Sequence, residues 1–219
     1  MHTGLQRLTI VTVPTVEPVT LVQAKLFLKV DETADDALIT SMIKAARHAC
    51  ERYTSRALTE RTGQVFFDRW PGDYVPLTEG ITIGADLTTF APEVFIPRPP
   101  LVSITHVKTY DDSDVATVWP SSNYFVDTAT EPGRLVPRTG TSLPTTTRTA
   151  NGIEIQFVAG YPEITPATDP KTYSIPEDIV TGIKRMINHL YENRGDDPVV
   201  AAKESGAQQL WLPYQIMRI

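Results

Sequence analysis

The stretch YSIPEDIVTGIKRMINHLYENRGDD, Tyr173–Asp197, decides how the chain is read. Ile179, Ile183, Met186, Ile187 and Leu190 recur at helical spacing and predict one apolar stripe. Ser174 and Glu177 flank Pro176 in a capping-box pattern, and Gly195 is placed to stop the helix. The helix end is crowded with His189, Tyr191, Glu192 and Arg194. Those residue types suit either catalysis or a polar surface that meets another chain.

A stripe needs a partner, and the N-terminal quarter supplies it. In TLVQAKLFLKV, Thr20 and Gln23 form a second capping-box pattern, and Leu21, Ala24 and Leu28 share a face. A second helix is predicted from about Thr33–Asp36 to Ser55. Its stripe is Leu38, Ile39, Met42, Ile43, Ala46, Ala49, Cys50 and Tyr53, with Asp35 and Asp36 in the first turn. Ile183, Ile187 and Leu190 are expected to pack on Leu38, Met42 and Ala46.

Between the helices the period changes. QVFFDRW, EVFIP, LVSITHVKTY, NYFVD and IEIQFVAGY are short runs of β-branched and aromatic residues divided by Pro, Gly, Asp and Ser. Leu8–Val13 also reads as a strand. Asp111, Asp112 and Asp114 read as a hairpin turn, and the Thr-rich 139–152 as a long exposed loop. The expected fold class is α+β. A helical bundle of 18–60 and 174–200 carries an inserted β-rich region, 61–162, and a C-terminal arm, 201–219.

Composition narrows the function. The 219 residues are 41% apolar and 21% charged, with a net charge of −6, as in a folded water-soluble domain. No apolar run reaches the ~20 residues that span a bilayer, and the N-terminus lacks the features of a signal peptide. One cysteine, Cys50, excludes an intramolecular disulfide framework and reads as a buried helix residue. No Lys/Arg cluster is present to grip DNA phosphates. His189 and Glu192 are i,i+3 neighbours, but a metal site needs further ligands, and His2, His48 and His106 stand alone. Cys50 and His48 point apart on a helix. No phosphate loop or nucleophile signature appears, so no catalytic residue, cofactor or metal is assigned.

The order of the pieces resembles tailed-phage head–tail connector proteins, the head-completion adaptors. The similarity lies in Leu21, Ala24, Lys25, Leu28, Lys29 and Val30, then Asp35, Asp36, Leu38 and Ile39, then Ala45, Ala46 and Arg47, and finally Glu51, Tyr53, Thr54 and Arg56. RPPLVSITHVKTYDDSD, FVAGY, IPEDIVTGIKRMINHLYENR and LWLPYQIMRI follow in the family's order, so the resemblance covers about 18–219. Phe27, Trp211 and Gln215 depart from the usual pattern. The resemblance implies a structural adaptor. It would form a ring, usually of twelve copies, below the capsid portal, extending the DNA channel and meeting a further connector or tail-terminator protein. DNA would pass without specific binding, and no membrane is involved. The implied location is the virion's head–tail interface, assembled in a bacterial host's cytoplasm, in a phage, prophage or gene transfer agent.

Two sets of residues are expected to carry that function. Arg47, Glu51, Tyr191, Glu192 and Arg194 are candidates for inter-subunit polar contacts. In the last eleven residues, Gln209–Ile219, the side chains Leu210, Trp211, Leu212, Tyr214, Ile216 and Met217 are too apolar for a solvated tail. They are expected to dock on the portal, with Trp211 and Tyr214 as anchors. Folding back on the subunit's own core is the competing expectation. Two other classes stay open: a tail or baseplate β-rich module binding glycan or protein, with tryptophans lining a sugar site, and a small hydrolase using His189.

Overall fold

The computed structural model describes residues 7–12, 14, 16–70, 93–163 and 173–216. It divides into two units, each discontinuous in sequence. One comprises Met1–Thr12, Thr62–Pro97 and Leu101–Val158; the other comprises Val13–Arg61, Arg98–Pro100 and Ala159–Ile219. The protein is mixed α+β.

Among its described residues the second unit holds five α-helices, α1 (Leu21–Leu28), α2 (Asp36–Thr54), α3 (Glu177–Glu192), α4 (Pro198–Glu204) and α5 (Ala207–Trp211). The capping box of α1 forms as expected: the Thr20 hydroxyl accepts from the Gln23 amide, and the Gln23 side chain accepts from the Thr20 amide. Lys29 and Ser55 end α1 and α2 in the left-handed conformation. The expected box at α3 does not form. Pro176 is the N-cap without a side-chain bond, while the Ser174 hydroxyl donates to the Pro162 carbonyl. Asn193, not Gly195, caps the other end.

The stripes of α2 and α3 meet. Ile39, Met42, Ile43, Ala46 and Cys50 form one buried cluster with Ile179, Ile183, Met186, Ile187 and Leu190, and Leu38 packs at its edge. Burial pushes the Cys50 thiol far above its usual pKa, so it is inert as a nucleophile. Leu190→Ala is expected to cost about 2–5 kcal/mol in a denaturant melt; a loss below half a unit would show the site is not core.

The other unit holds the strands. A five-stranded sheet has the order β1 (Arg7–Ile10), β2 (Arg61–Phe67), β8 (Ile153–Ala159), β4 (Leu101–Tyr110), β5 (Ala116–Trp119). A three-stranded sheet has the order β3 (Val94–Phe95), β7 (Arg134–Pro137), β6 (Tyr124–Asp127). β1 precedes every helix, so the sheet is not purely an insertion between them. β2 and β8 bury alternate residues, among them Val65, Ile155 and Phe157. Gly63 sits against Phe157, whose ring would lie 2.8 Å from an added Cβ. Asp111 makes the β4–β5 turn, accepting from the amides of Ser113 and Val115. The Thr-rich loop is tied down at several points. Thr146 donates to the Tyr110 carbonyl, Thr147 accepts from the Asp112 amide, and the Trp70 indole donates to the Pro144 carbonyl.

Candidate functional site

Three groups of residues could carry function. The first lies inside the helical unit. Arg47 is 3% exposed and Glu51 6%. The Glu51 carboxylate accepts from Arg47, from Arg61 and from the Leu58 amide. Arg47 also donates to Glu17 at 2.6 Å, and Arg98 donates to the Glu51 carbonyl. Arg47 and Glu51, expected at inter-subunit contacts, lie instead in the protomer's interior. The reason is stoichiometric. Glu17, Arg61 and Arg98 lie in turns and strand ends that no helical period could register, and they complete the charges from within.

The second group joins the start of α2 to the end of α3. The Tyr191 hydroxyl donates to Asp35 at 2.6 Å, and Arg194 donates to the same carboxylate at 3.1 Å. The Tyr191 bond, reinforced by Arg194, holds the Asp35 pKa below its usual value. Glu192 instead accepts from Asn188, and His189 pairs with Asp196 at 2.9 Å. His189 and Glu192 are therefore not brought together as a ligand or acid–base pair. Of the crowded helix end, Arg194 and Glu192 stay exposed.

The third group is the C-terminal segment, and here the described residues fold back. Trp211 is fully buried, its indole donating to the Ile179 carbonyl at 3.2 Å and its ring centroid 6.2 Å from that of Tyr53. The Ile216 amide donates to the Thr54 carbonyl, and Arg56 donates to the Tyr214 carbonyl at 2.6 Å. Leu210 and Tyr214 pack against the core edge, and Leu212 is 58% exposed. The expected anchor Trp211 thus faces inward, and Met217 lies outside the described residues. Gly182 makes room for the indole: an added Cβ would lie 2.3 Å from its ring nitrogen. Helix propensity alone favours Ala over Gly by roughly 0.5–1 kcal/mol. Gly182→Ala is expected to reverse that sign and lose about 1–3 kcal/mol by overpacking, read as a lower melting midpoint; a gain would mean Trp211 sits elsewhere.

The strand unit contains a polar cluster that the sequence did not suggest. Glu154 is buried and accepts from Tyr110, from Gln64 at 3.1 Å and, at 2.8 Å, pairs with His106. Sequence spacing leaves His106 isolated, because only sheet register brings β4 beside β8. Burial works to raise the Glu154 pKa, but bonds from Tyr110 and His106 outweigh it and hold the carboxyl below its usual value; the Tyr110 hydroxyl is pushed up to about 12 by its bond to Glu154. A depressed carboxyl contributes stability above its unfolded pKa, and that contribution is lost as pH falls through the folded value. Removing the Tyr110 hydroxyl with Tyr110→Phe is expected to cost about 1.5–3 kcal/mol at neutral pH. The deficit should shrink as pH falls below the ordinary carboxylate range and Glu154 protonates; a pH-independent deficit would rule out the charged bond. Among the described residues no group of three His, Cys, Asp or Glu is arranged to hold a metal. Trp70, Trp119 and Trp211 are all buried, so no tryptophan platform faces solvent to stack a sugar.

α1 with its capping box is followed directly by α2. Residues 18–88 match the model of the phage gp6-like head-tail connector protein. The connector match contains α1, α2 and β2, the described elements of that stretch. No curated protein matches the sequence. Beyond the connector stretch, solved structures share the fold along almost the whole chain. A chain in the virion of the native gene transfer agent particle has a TM-score of 0.70 at 20% identity, covering 97% of this chain and 96% of that one. A chain in the neck of the empty particle, computed with C6 symmetry, has a TM-score of 0.69 at 19% identity and 97% coverage of both. One in the neck of the native particle, computed with C12 symmetry, has a TM-score of 0.66 at 20% identity, again with 97% coverage of both.

Proposed function

We propose that the protein is a structural head–tail adaptor that forms a ring, of twelve copies, below the capsid portal. It extends the DNA channel and joins it to a further connector or tail-terminator protein. The observation that carries this reading is that a fold seen in particle necks covers 97% of the chain, including the stretch that matches the connector model. The charge agrees with it. A chain of net charge −6 without a basic cluster lets DNA pass rather than neutralising its phosphates.

The portal contact is proposed to use the exposed edge of the C-terminal segment around Leu212, since Trp211 is committed to the core. Arg194 and Glu192 remain candidates for contacts between subunits; Arg47 and Glu51 would support the ring only indirectly, by shaping α2. Electron microscopy of the purified protein, alone and mixed with its portal, tests the proposal. The expected result is twelvefold rings seated on the portal. Protein that neither forms rings nor binds portal particles would overturn it.

A further inference from the structure

The five-stranded sheet ends in two edges, β1 and β5, and among the described residues no further strand pairs with either. Large apolar side chains stay exposed along both: Ile10 and Val11 at β1, Val115 and Val118 at β5. Neither strand contains a proline, and an apolar edge without one is a template for another strand. Backbone direction fixes what each edge offers. The Val11 amide donates inward to the Thr62 carbonyl, so by alternation Leu8 and Ile10 turn their N–H and C=O groups outward. The Val115 carbonyl accepts inward from the Asp111 amide, so Ala116 and Val118 turn theirs outward. The side chains sort differently. Leu8 and Ile10 share the core side of the sheet with Val65 and Gly63, while Ala116 and Val118 share the opposite side with Tyr110, Lys108 and Glu154.

That difference selects a geometry. An antiparallel union of β1 with β5 pairs residues that both turn outward, and so sets core-side chains against outer-side ones. A parallel union offsets the strands by one residue and matches the sides. In one such register Ile10 lies opposite Thr117, Leu8 opposite Val115 and Val11 opposite Val118, so the exposed apolar residues cover one another. The same register sets Arg7 opposite Asp114. Among the described residues neither Arg7 nor the Asp112 carboxylate has an ionic partner, and Asp114, 76% exposed, keeps only a 3.4 Å contact with Arg148. Strands alternate in direction across the sheet, so β1 and β5 run the same way. A small rotation between neighbouring copies preserves that sense.

We infer that β5 of one copy adds in parallel to β1 of the next, with Arg7 facing the Asp112–Asp114 turn, and that this strand pairing joins neighbours in the ring. The inference rests on the adaptor reading and names a surface that builds it. Two different edges make a head-to-tail contact, which a closed ring fills at every copy. β1 on β1, or β5 on β5, would instead be twofold and leave Arg7 without the acidic turn. Cross-linking tests it. Thr9→Cys and Ala116→Cys place thiols opposite one another at exposed positions, and the native Cys50 is buried. A short bis-maleimide is expected to link the equimolar mixture into heterodimers and to link neither variant alone. Dominant homodimers of either variant, or intact rings without the heterodimer, would overturn the inference and leave the adaptor reading standing.

Val118→Pro gives an independent reading by native mass spectrometry. The Val118 amide turns away from β4, so proline there removes a donor to the next copy while the sheet keeps its own ladder. The variant is expected to melt within a few degrees of the wild type and to lose its rings. Thr117→Pro, whose amide faces β4, is expected to lower the melting midpoint instead. Rings that persist in a folded Val118→Pro would reject the pairing. Wild-type protein that forms no ring, alone or on its portal, would reject both the pairing and the adaptor reading.

Discussion

Trp211→Ala is expected to lower the unfolding free energy by about 3–5 kcal/mol, the cost of emptying a large buried aromatic site. The indole is fully buried among α2, α3 and α4 residues, and its N–H bond to the Ile179 carbonyl would be lost as well. Deleting residues 209–219 removes this side chain together with the Ile216 and Tyr214 backbone bonds. The deletion should therefore lower the melting temperature by many degrees. A truncated chain that melts like the intact one would show that the segment is a detachable arm. Leu212→Ala provides the contrast. It removes an exposed side chain, so its stability should change by less than about 0.5 kcal/mol, while the proposed portal contact would be weakened.

Glu51→Ala should be of similar size for a different reason. It leaves Arg47 and Arg61 in the interior without their shared carboxylate and strips the Leu58 amide of its acceptor. Removing one partner of a buried ion pair costs about 3–5 kcal/mol, mostly because the remaining charge stays desolvated. Glu17 still faces Arg47 at 2.6 Å, so the penalty falls chiefly on Arg61. The double variant Glu51→Leu with Arg61→Met should recover much of the loss, which denaturant melts of the three proteins measure. A Glu51→Ala loss near zero would mean that water reaches the cluster.

The apolar framework was legible because burial follows period. The stripes of α2 and α3 are readable at 3.6-residue spacing, and the residues on them make up the core. The α1 box was legible because its donors and acceptors lie three residues apart. Contacts set by distant chain segments were not. Nothing local to Arg47 announces Glu17 or Arg61, and nothing in β4 announces that His106 meets Glu154. The box at Ser174 failed because Pro176 took the cap and the hydroxyl found the Pro162 carbonyl instead. In the C-terminal segment, composition measured how much apolar surface needs cover but not whose surface covers it. Gly182 was the available sign: a glycine within the α3 pattern leaves a notch that a large aromatic can fill.

The division of the helical unit across the sequence has a consequence for how the chain is made. Its second helix ends at Thr54 and the third begins at Glu177, so 55–176 must leave the ribosome before the two can meet. At elongation rates of roughly 5–20 residues per second, that takes on the order of 6–25 s. Throughout this interval Ile39, Met42, Ile43 and Ala46 have no α3 to cover them, and Trp211 emerges later still. The strand unit, complete by Val158, can close first. Production of this protein is therefore exposed to capture by holding chaperones at a defined stage, and slowing translation between the two helices should lengthen that capture in proportion.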